Sequence, residues 1–418
     1  MSSSQLPWFQ FIGRNARFLS FGFGLNVFIS VAQTFFISLF NNDFQDAVGL
    51  THGEMSTIYA LAMFAGSVAM LGAGRLLDAM DLRVFCVLNL VLMAACAAVL
   101  ASVETVTMLF LGLFGVRFFG GSQLGLAGQA SMARYFDVDR GKAASVSSIG
   151  HTVGFALFPL LGAVAIAALG WRGTWWGVAA AMLFLVLPLT LFQLSGHGER
   201  HRRYLESRAD LGSRADADAT RSATLKQMLR DRRFYMVAPG MLALPGLLFT
   251  FQFHQLALIE EKHWHLPTFA AFYILFSVVG VLASIVGGHM VDRHGSRRLL
   301  TWYVVPMIPA LLILALVDHP VAIPLYMIGM GMTFGFGLVG GVTVWAEIFG
   351  SAHIGAIRGF TIAMNTTIAS LTMALAGWLI DWGISLSVQA FWSAVITAAA
   401  AILLAIVARK LPPRRAVV

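Results

Sequence analysis

Long apolar stretches separated by short polar turns run the length of this 418-residue chain. A membrane-spanning helix needs about 20 apolar residues. Twelve stretches meet that length: residues 18–40, 54–77, 84–103, 106–130, 143–168, 173–194, 234–258, 269–290, 298–317, 321–346, 359–380 and 387–408. Lipid offers no partner to a backbone N–H or C=O, so the pattern predicts helices. The alternating apolar and polar positions of a membrane barrel are absent. The first stretch is longer than the about 7–15 apolar residues of a secretory signal, so it is expected to span rather than to be cleaved.

Composition agrees. The chain is 58% hydrophobic and 11% charged, with a mean hydropathy of +0.78, whereas a soluble domain carries about 25% charged residues. Its 33 Phe and 10 Trp are far too many apolar groups for a disordered chain. Cys86 and Cys96 fall in one apolar run and suggest neither a disulfide framework nor a metal site.

The net charge of +8 would suit nucleic acid if the basic residues were clustered for it. They follow topology instead. With the N-terminus in the cytoplasm, every Lys and Arg except Arg117, Arg172 and Lys262 falls on the cytoplasmic side. This is the positive-inside asymmetry, and it predicts a multi-pass protein with both termini cytoplasmic; short outer loops add the expectation of a cell inner (plasma) membrane. Lipid is then the expected macroscopic partner, not nucleic acid.

The one long polar stretch, residues 195–233, divides the spans into six and six. The expected organisation is a six-helix bundle over 1–194, a cytoplasmic linker over 195–233 and a second six-helix bundle over 234–418. The halves repeat. Gly74, Leu76 and Asp78 match Gly288, Met290 and Asp292, and the segment ARYFDVDRG around Phe136 matches AEIFGSAHIGAIRG around Phe349 at nearly the same offset. Parallel repeats of this kind place a site at the midplane and work by alternating access.

The turn GGHMVDRHGSRRLL (residues 287–300) carries Gly288, Asp292, Arg293, Gly295, Arg297 and Arg298. It resembles the signature of the major facilitator superfamily in the loops after its second and eighth spans. The first copy keeps Gly74, Leu76, Asp78 and Arg83 but departs at Ala79, Asp81 and Leu82. The resemblance covers nearly the whole chain and implies an all-α polytopic protein of twelve transmembrane helices in two pseudo-symmetric six-helix bundles. In that family the loop aspartate gates the inner side by pairing with the other half. The residues expected to gate are therefore Asp78, Arg83, Arg134, Arg140, Asp292, Arg293, Arg297, Glu347 and Arg358. Static pairing is the alternative for the Glu347 and Arg358 set.

RFFGGSQLG (residues 117–125) is similar to the fourth-span pattern of the superfamily. ARYFDVDRGKAASVSSIGHTVG (residues 133–154) and GWRGTWW (residues 170–176) resemble the bacterial monocarboxylate and oxalate–formate carriers. The lysine and arginine with which those carriers hold a carboxylate are missing here. The first span offers Gln33 and Thr34, the eighth has no charge, and the eleventh offers Asn365, Thr366 and Thr367.

Arg117 is the one unambiguous charge well inside a span. A charge at that depth costs about 2.5–3.5 kcal/mol on insertion scales and usually faces a cavity or a partner. It is expected to bind a substrate anion or to couple a proton; the structural alternative is a fastener between helices. His254, flanked by Gln252 and Gln255, and His151, in a glycine-rich face also similar to the fifth span of drug–proton antiporters, have an ordinary pKa suited to proton coupling. Each could instead be a rim or packing histidine. Gln33, Thr34, Gln123, Gln252, Asn365 and Thr366 are candidate solute contacts, or polar groups that bond helix to helix. GMGMTFGFG (residues 329–337) looks like a nucleotide loop, but lies inside an apolar span and reads as a packing surface.

The expected function is secondary active transport of a small organic solute, first a proton-linked monocarboxylate or similar organic anion. The alternative is proton-coupled efflux of drug-like or amphipathic compounds; a solute sensor is a lower-ranked third. An enzyme, a cofactor and a metal are not expected, and the protein is expected to be monomeric.

Overall fold

A computed structural model describes residues 7–136, 139–198, 202, 224–350 and 354–410. The side chains of residues 71–75, 78, 79, 133, 134, 140, 342, 354–356 and 410 lie outside that description. Each of the twelve apolar stretches is mainly helical, with breaks that include Gln33, His254 and residues 303–306. The chain divides into two compact units. One comprises Met1–Leu50 with Leu61–Arg214, the other Thr51–Ala60 with Ala215–Val418.

In the first unit the helix Trp8–Phe28 gives way to a 3-10 turn, Ile29–Ala32, and stops at Gln33, whose backbone is extended (φ −91°, ψ 156°). A second helical run begins at Thr34, bent 44° from the first. The fourth span also departs from ideal helix: Val106–Gly115 leads into a π-helical stretch, Val116–Leu124, before Gly125–Tyr135. Arg140–Ala181 covers the fifth predicted span and the start of the sixth, breaks at Gly170 (φ 69°), and is continued by Met182–Val186 and Leu187–Gln193.

Small residues set the closest helix contacts. A Cβ on Gly150 would strike the Phe23 carbonyl, and one on Gly154 would strike Ser30. Helix Arg140–Ala181 can therefore lie directly on Trp8–Phe28 and its 3-10 extension. Asn26 adds polar glue, donating through Nδ2 to Gly22 O at 2.8 Å and to Ser147 Oγ at 2.7 Å. In lipid such contacts replace the hydrophobic driving force of a soluble core.

The second unit uses the same device. Along Ala322–Phe349, a Cβ on Gly329 would meet Pro306 O at 2.6 Å, one on Gly331 would meet Phe276 O at 2.6 Å, and one on Gly335 would strike Gly280 O. The glycine run is thus a face on which Tyr273–His294 packs.

The basic turns are built differently in the two units. Between His52–Ala79 and Leu82–Ala101, Asp81 accepts the N–H of Arg83 at 2.8 Å and caps the second helix. Between Tyr273–His294 and Ser296–Trp302, Gly295 takes φ 76°, and Glu347 accepts the Ser296 N–H at 2.7 Å from a distant helix. The departure at Asp81 therefore has a local reason: it supplies a cap that the second copy receives from Glu347.

Candidate functional site

The π-helical stretch of the first unit turns Arg117 toward the break in the first span. Its Nη1 donates to Ala32 O at 2.9 Å and to Gln33 Oε1 at 3.1 Å. Ala32 O lies at the end of a 3-10 turn, where the helix cannot use it. Gly120 and Gly121 let the backbones approach: a Cβ on Gly120 would meet Ala32 Cβ at 2.9 Å. Two helix irregularities thus face each other and lock one edge of a guanidinium. Arginine carries five N–H donors. One nitrogen is engaged here, and no carboxylate pairs with Arg117 among the described residues. The remaining edge has the geometry to hold an anion bidentately.

The other first-unit candidates sit differently. Thr34 is fully buried, and Gln123 is buried with Oε1 lacking a hydrogen-bond partner among the described residues. His151 is half-buried, its ring edge-on to Phe155 at 6.3 Å. Arg83 donates from Nε to Leu194 O at 2.9 Å. The side chains of Asp78, Arg134 and Arg140 lie outside the described residues.

The second unit contains a pocket of about 250 Å³. Leu248, Phe249, Tyr303, Phe334 and Trp345 supply apolar walls, and Asn365 and Arg358 supply polarity. Tyr303 is fixed by donating to Met241 O at 3.3 Å. Gln252 is buried with neither side-chain nitrogen nor oxygen hydrogen-bonded among the described residues. Thr366 donates to Ile362 O one turn back and Thr367 to Ala363 O, so each is satisfied by its own helix.

His254 is 3% exposed. Its Nε2 lies 3.0 Å from Met373 O. A carbonyl only accepts, so Nε2 carries the proton. Phe253 packs edge-on against the ring at 5.1 Å. Asp292 and Arg293 are exposed, and Arg297 is half-buried. Glu347 is occupied by Ser296 N–H, and Arg358 is exposed at the pocket.

Sequence reading passed over the acids that close the opposite helix ends of the second unit. Asp381 accepts the N–H groups of His52 and Gly53 at 3.1 and 2.8 Å. Glu261 accepts those of Leu386 and Ser387 at 2.6 and 2.9 Å. Lys262 pairs with Asp318 at 2.5 Å. Each acid stands beside a loop, but its partner is far away in sequence, so the sequence carries no signal for the pairing.

The described residues form a helical polytopic chain with broken helices and polar groups inside its spans. Residues 22–339 and 254–418 match the profile described as Major Facilitator Superfamily, and the chain belongs to that family. No curated protein matches it by sequence. Among solved structures it is similar to a bacterial homolog of the human lysosomal transporter Spinster in an inward-facing and unoccupied conformation. The two share 12% identity over 97% of this chain and 98% of that one, with a TM-score of 0.68. It is also similar to the nucleoside transporter NupG, with 15% identity over 94% of this chain and all of that one, at a TM-score of 0.70. These likenesses show the fold; membership of the superfamily makes the chain a secondary transporter that works by alternating access, not an enzyme.

Proposed function

We propose that the protein moves a small organic anion, first a monocarboxylate, together with protons. One observation carries the reading: Arg117 is held inside a span by two neutral acceptors, no carboxylate among the described residues pairs with it, and one edge of its guanidinium is left for a ligand. A buried charge without a protein counter-ion is costly, and a bound anion offsets that cost. Gln123 and Gln252 support a solute role, because a buried amide normally finds a hydrogen-bond partner. His151, half-buried and without a side-chain bond to backbone among the described residues, is the stronger choice for proton coupling; His254 is tied to Met373 O. The basic ends face the cytoplasm of a cell inner membrane, with the 195–233 linker between the two bundles on that side. The loop residues Asp78, Asp292, Arg134 and Arg140 govern access from that side.

The aromatic pocket of the second unit favours a second reading, efflux of amphipathic compounds in exchange for protons. Reconstituted proteoliposomes separate the two. An inward proton gradient should drive accumulation of labelled small carboxylates, and Arg117→Gln should abolish it. No carboxylate uptake by folded protein, with proton-driven movement of lipophilic cations instead, would establish the efflux reading.

A further inference from the structure

Two cavities on the second unit share a single residue, Arg298. The first, about 330 Å³, is basic: His294, Arg297, Arg298 and Arg409 line it, with Thr301 and Glu347. The second, about 630 Å³, is almost wholly apolar, lined by Trp302, Pro306, Ile313, Leu325, Met332 and Phe336 among others, with Arg298 at one end. Neither Arg298 nor Arg409 pairs with a carboxylate among the described residues. Glu347, the one acid in the basic cavity, already accepts the Ser296 N–H.

We propose that an anionic phospholipid binds here, with its phosphate in the Arg298–Arg409 pocket and an acyl chain along the groove from Trp302 to Ile313.

Charge complementarity selects the headgroup. Arg298 and Arg409 against the one carboxylate of Glu347 leave the pocket net positive. Basic pockets between spanning helices attract anionic headgroups in this way. Shape selects the rest of the molecule. The groove follows the Ser296–Trp302 and Met307–Leu316 segments on the outside of the unit, where Trp302 is 51% and Leu325 is 45% exposed. A free phosphate would use the basic pocket and leave this groove unfilled. Trp302 stands one turn beyond Arg298, where an indole suits the boundary between headgroup and hydrocarbon. The inference concerns the surface of one unit and does not depend on what solute is carried.

Native mass spectrometry of the purified full chain tests it, with phosphatidylglycerol and phosphatidylcholine added at equal concentration. The protein should retain phosphatidylglycerol preferentially. The double variant Arg298→Gln/Arg409→Gln should weaken that retention about thirtyfold, since each basic group near an anionic surface contributes about fivefold. Arg230→Gln, on a different helix, should leave it unchanged. Pro309→Trp fills the groove without touching the basic pocket and should also lose the lipid. Thermal unfolding checks that each variant is folded. Equal retention of both lipids would overturn the proposal. So would full competition by water-soluble glycerol phosphate with no effect of Pro309→Trp, which would make this a free-anion site.

Discussion

Arg117 donates through Nη1 to Gln33 Oε1 at 3.1 Å, joining the π-helical stretch of the fourth span to the break in the first. The amide orients the guanidinium but carries no charge to offset it, and no carboxylate among the described residues pairs with Arg117. The two residues should therefore fail differently. Arg117→Gln removes the charge and should abolish anion uptake. Gln33→Ala loses one charge-assisted hydrogen bond, of about 1.5–3 kcal/mol, and should raise KM about tenfold or more with a smaller change in kcat. Arg117→Lys keeps the charge but not the fork and should fall between them. Uptake kinetics in proteoliposomes measure all three.

Histidine substitution should separate coupling from binding. His151→Gln is expected to retain solute exchange across a membrane without a gradient, but to lose proton-driven accumulation. His254→Gln keeps a donor for Met373 O and should retain both. Loss of coupling in the second variant alone would assign the proton to His254.

Helix approach at glycine gives a paired stability test. Gly154→Leu forces a side chain into Ser30, and Gly335→Leu forces one into the Gly280 backbone. Overpacking of this kind costs about 1–3 kcal/mol or more, and both variants should melt several degrees lower in detergent. Gly177 lies within a helix with no neighbour near its Cβ position, so Gly177→Ala should gain about 0.5–1 kcal/mol.

Asp381 caps the first turn of His52–Ala79 through two backbone N–H groups. Asp381→Ala leaves both donors unpaired and should cost about 0.5–2 kcal/mol. Asp381→Asn keeps an acceptor and should lose less. Thermal unfolding of the two variants measures the difference.

Asp231 accepts hydrogen bonds from Arg233 Nε and Nη2 at 3.0 and 2.7 Å, and these hold its carboxyl below the usual range. A depressed folded-state pKa stabilises above the unfolded value and is lost as pH falls through the folded one. Asp231→Asn should therefore melt slightly lower than wild type at neutral pH. The two should converge once the medium is acidic enough to protonate Asp231. Arg233 is exposed and Asp231 half-buried, so solvent screens the pair and the effect is small, and a melting curve at each pH resolves it.

The sequence by itself determined the membrane class, the twelve spans, the internal repeat and the reading of residues 329–337 as a packing face. These follow from local quantities: runs of apolar residues long enough for lipid, the placement of arginines, and glycines at helical spacing. It also singled out Arg117, because a charge inside an apolar run is visible without a fold. Tertiary structure decided what that charge touches. Nothing in the order of residues tells that the first span stops at Gln33, or that a π-helical stretch turns Arg117 onto the carbonyl this break releases. Nor does sequence pair Asp381 with His52, or place Arg298 between a basic and an apolar cavity. Each of these depends on residues far apart in the chain. In a membrane, every backbone group freed by a break must be satisfied from a neighbouring helix, and only the packed structure fixes which neighbour is there.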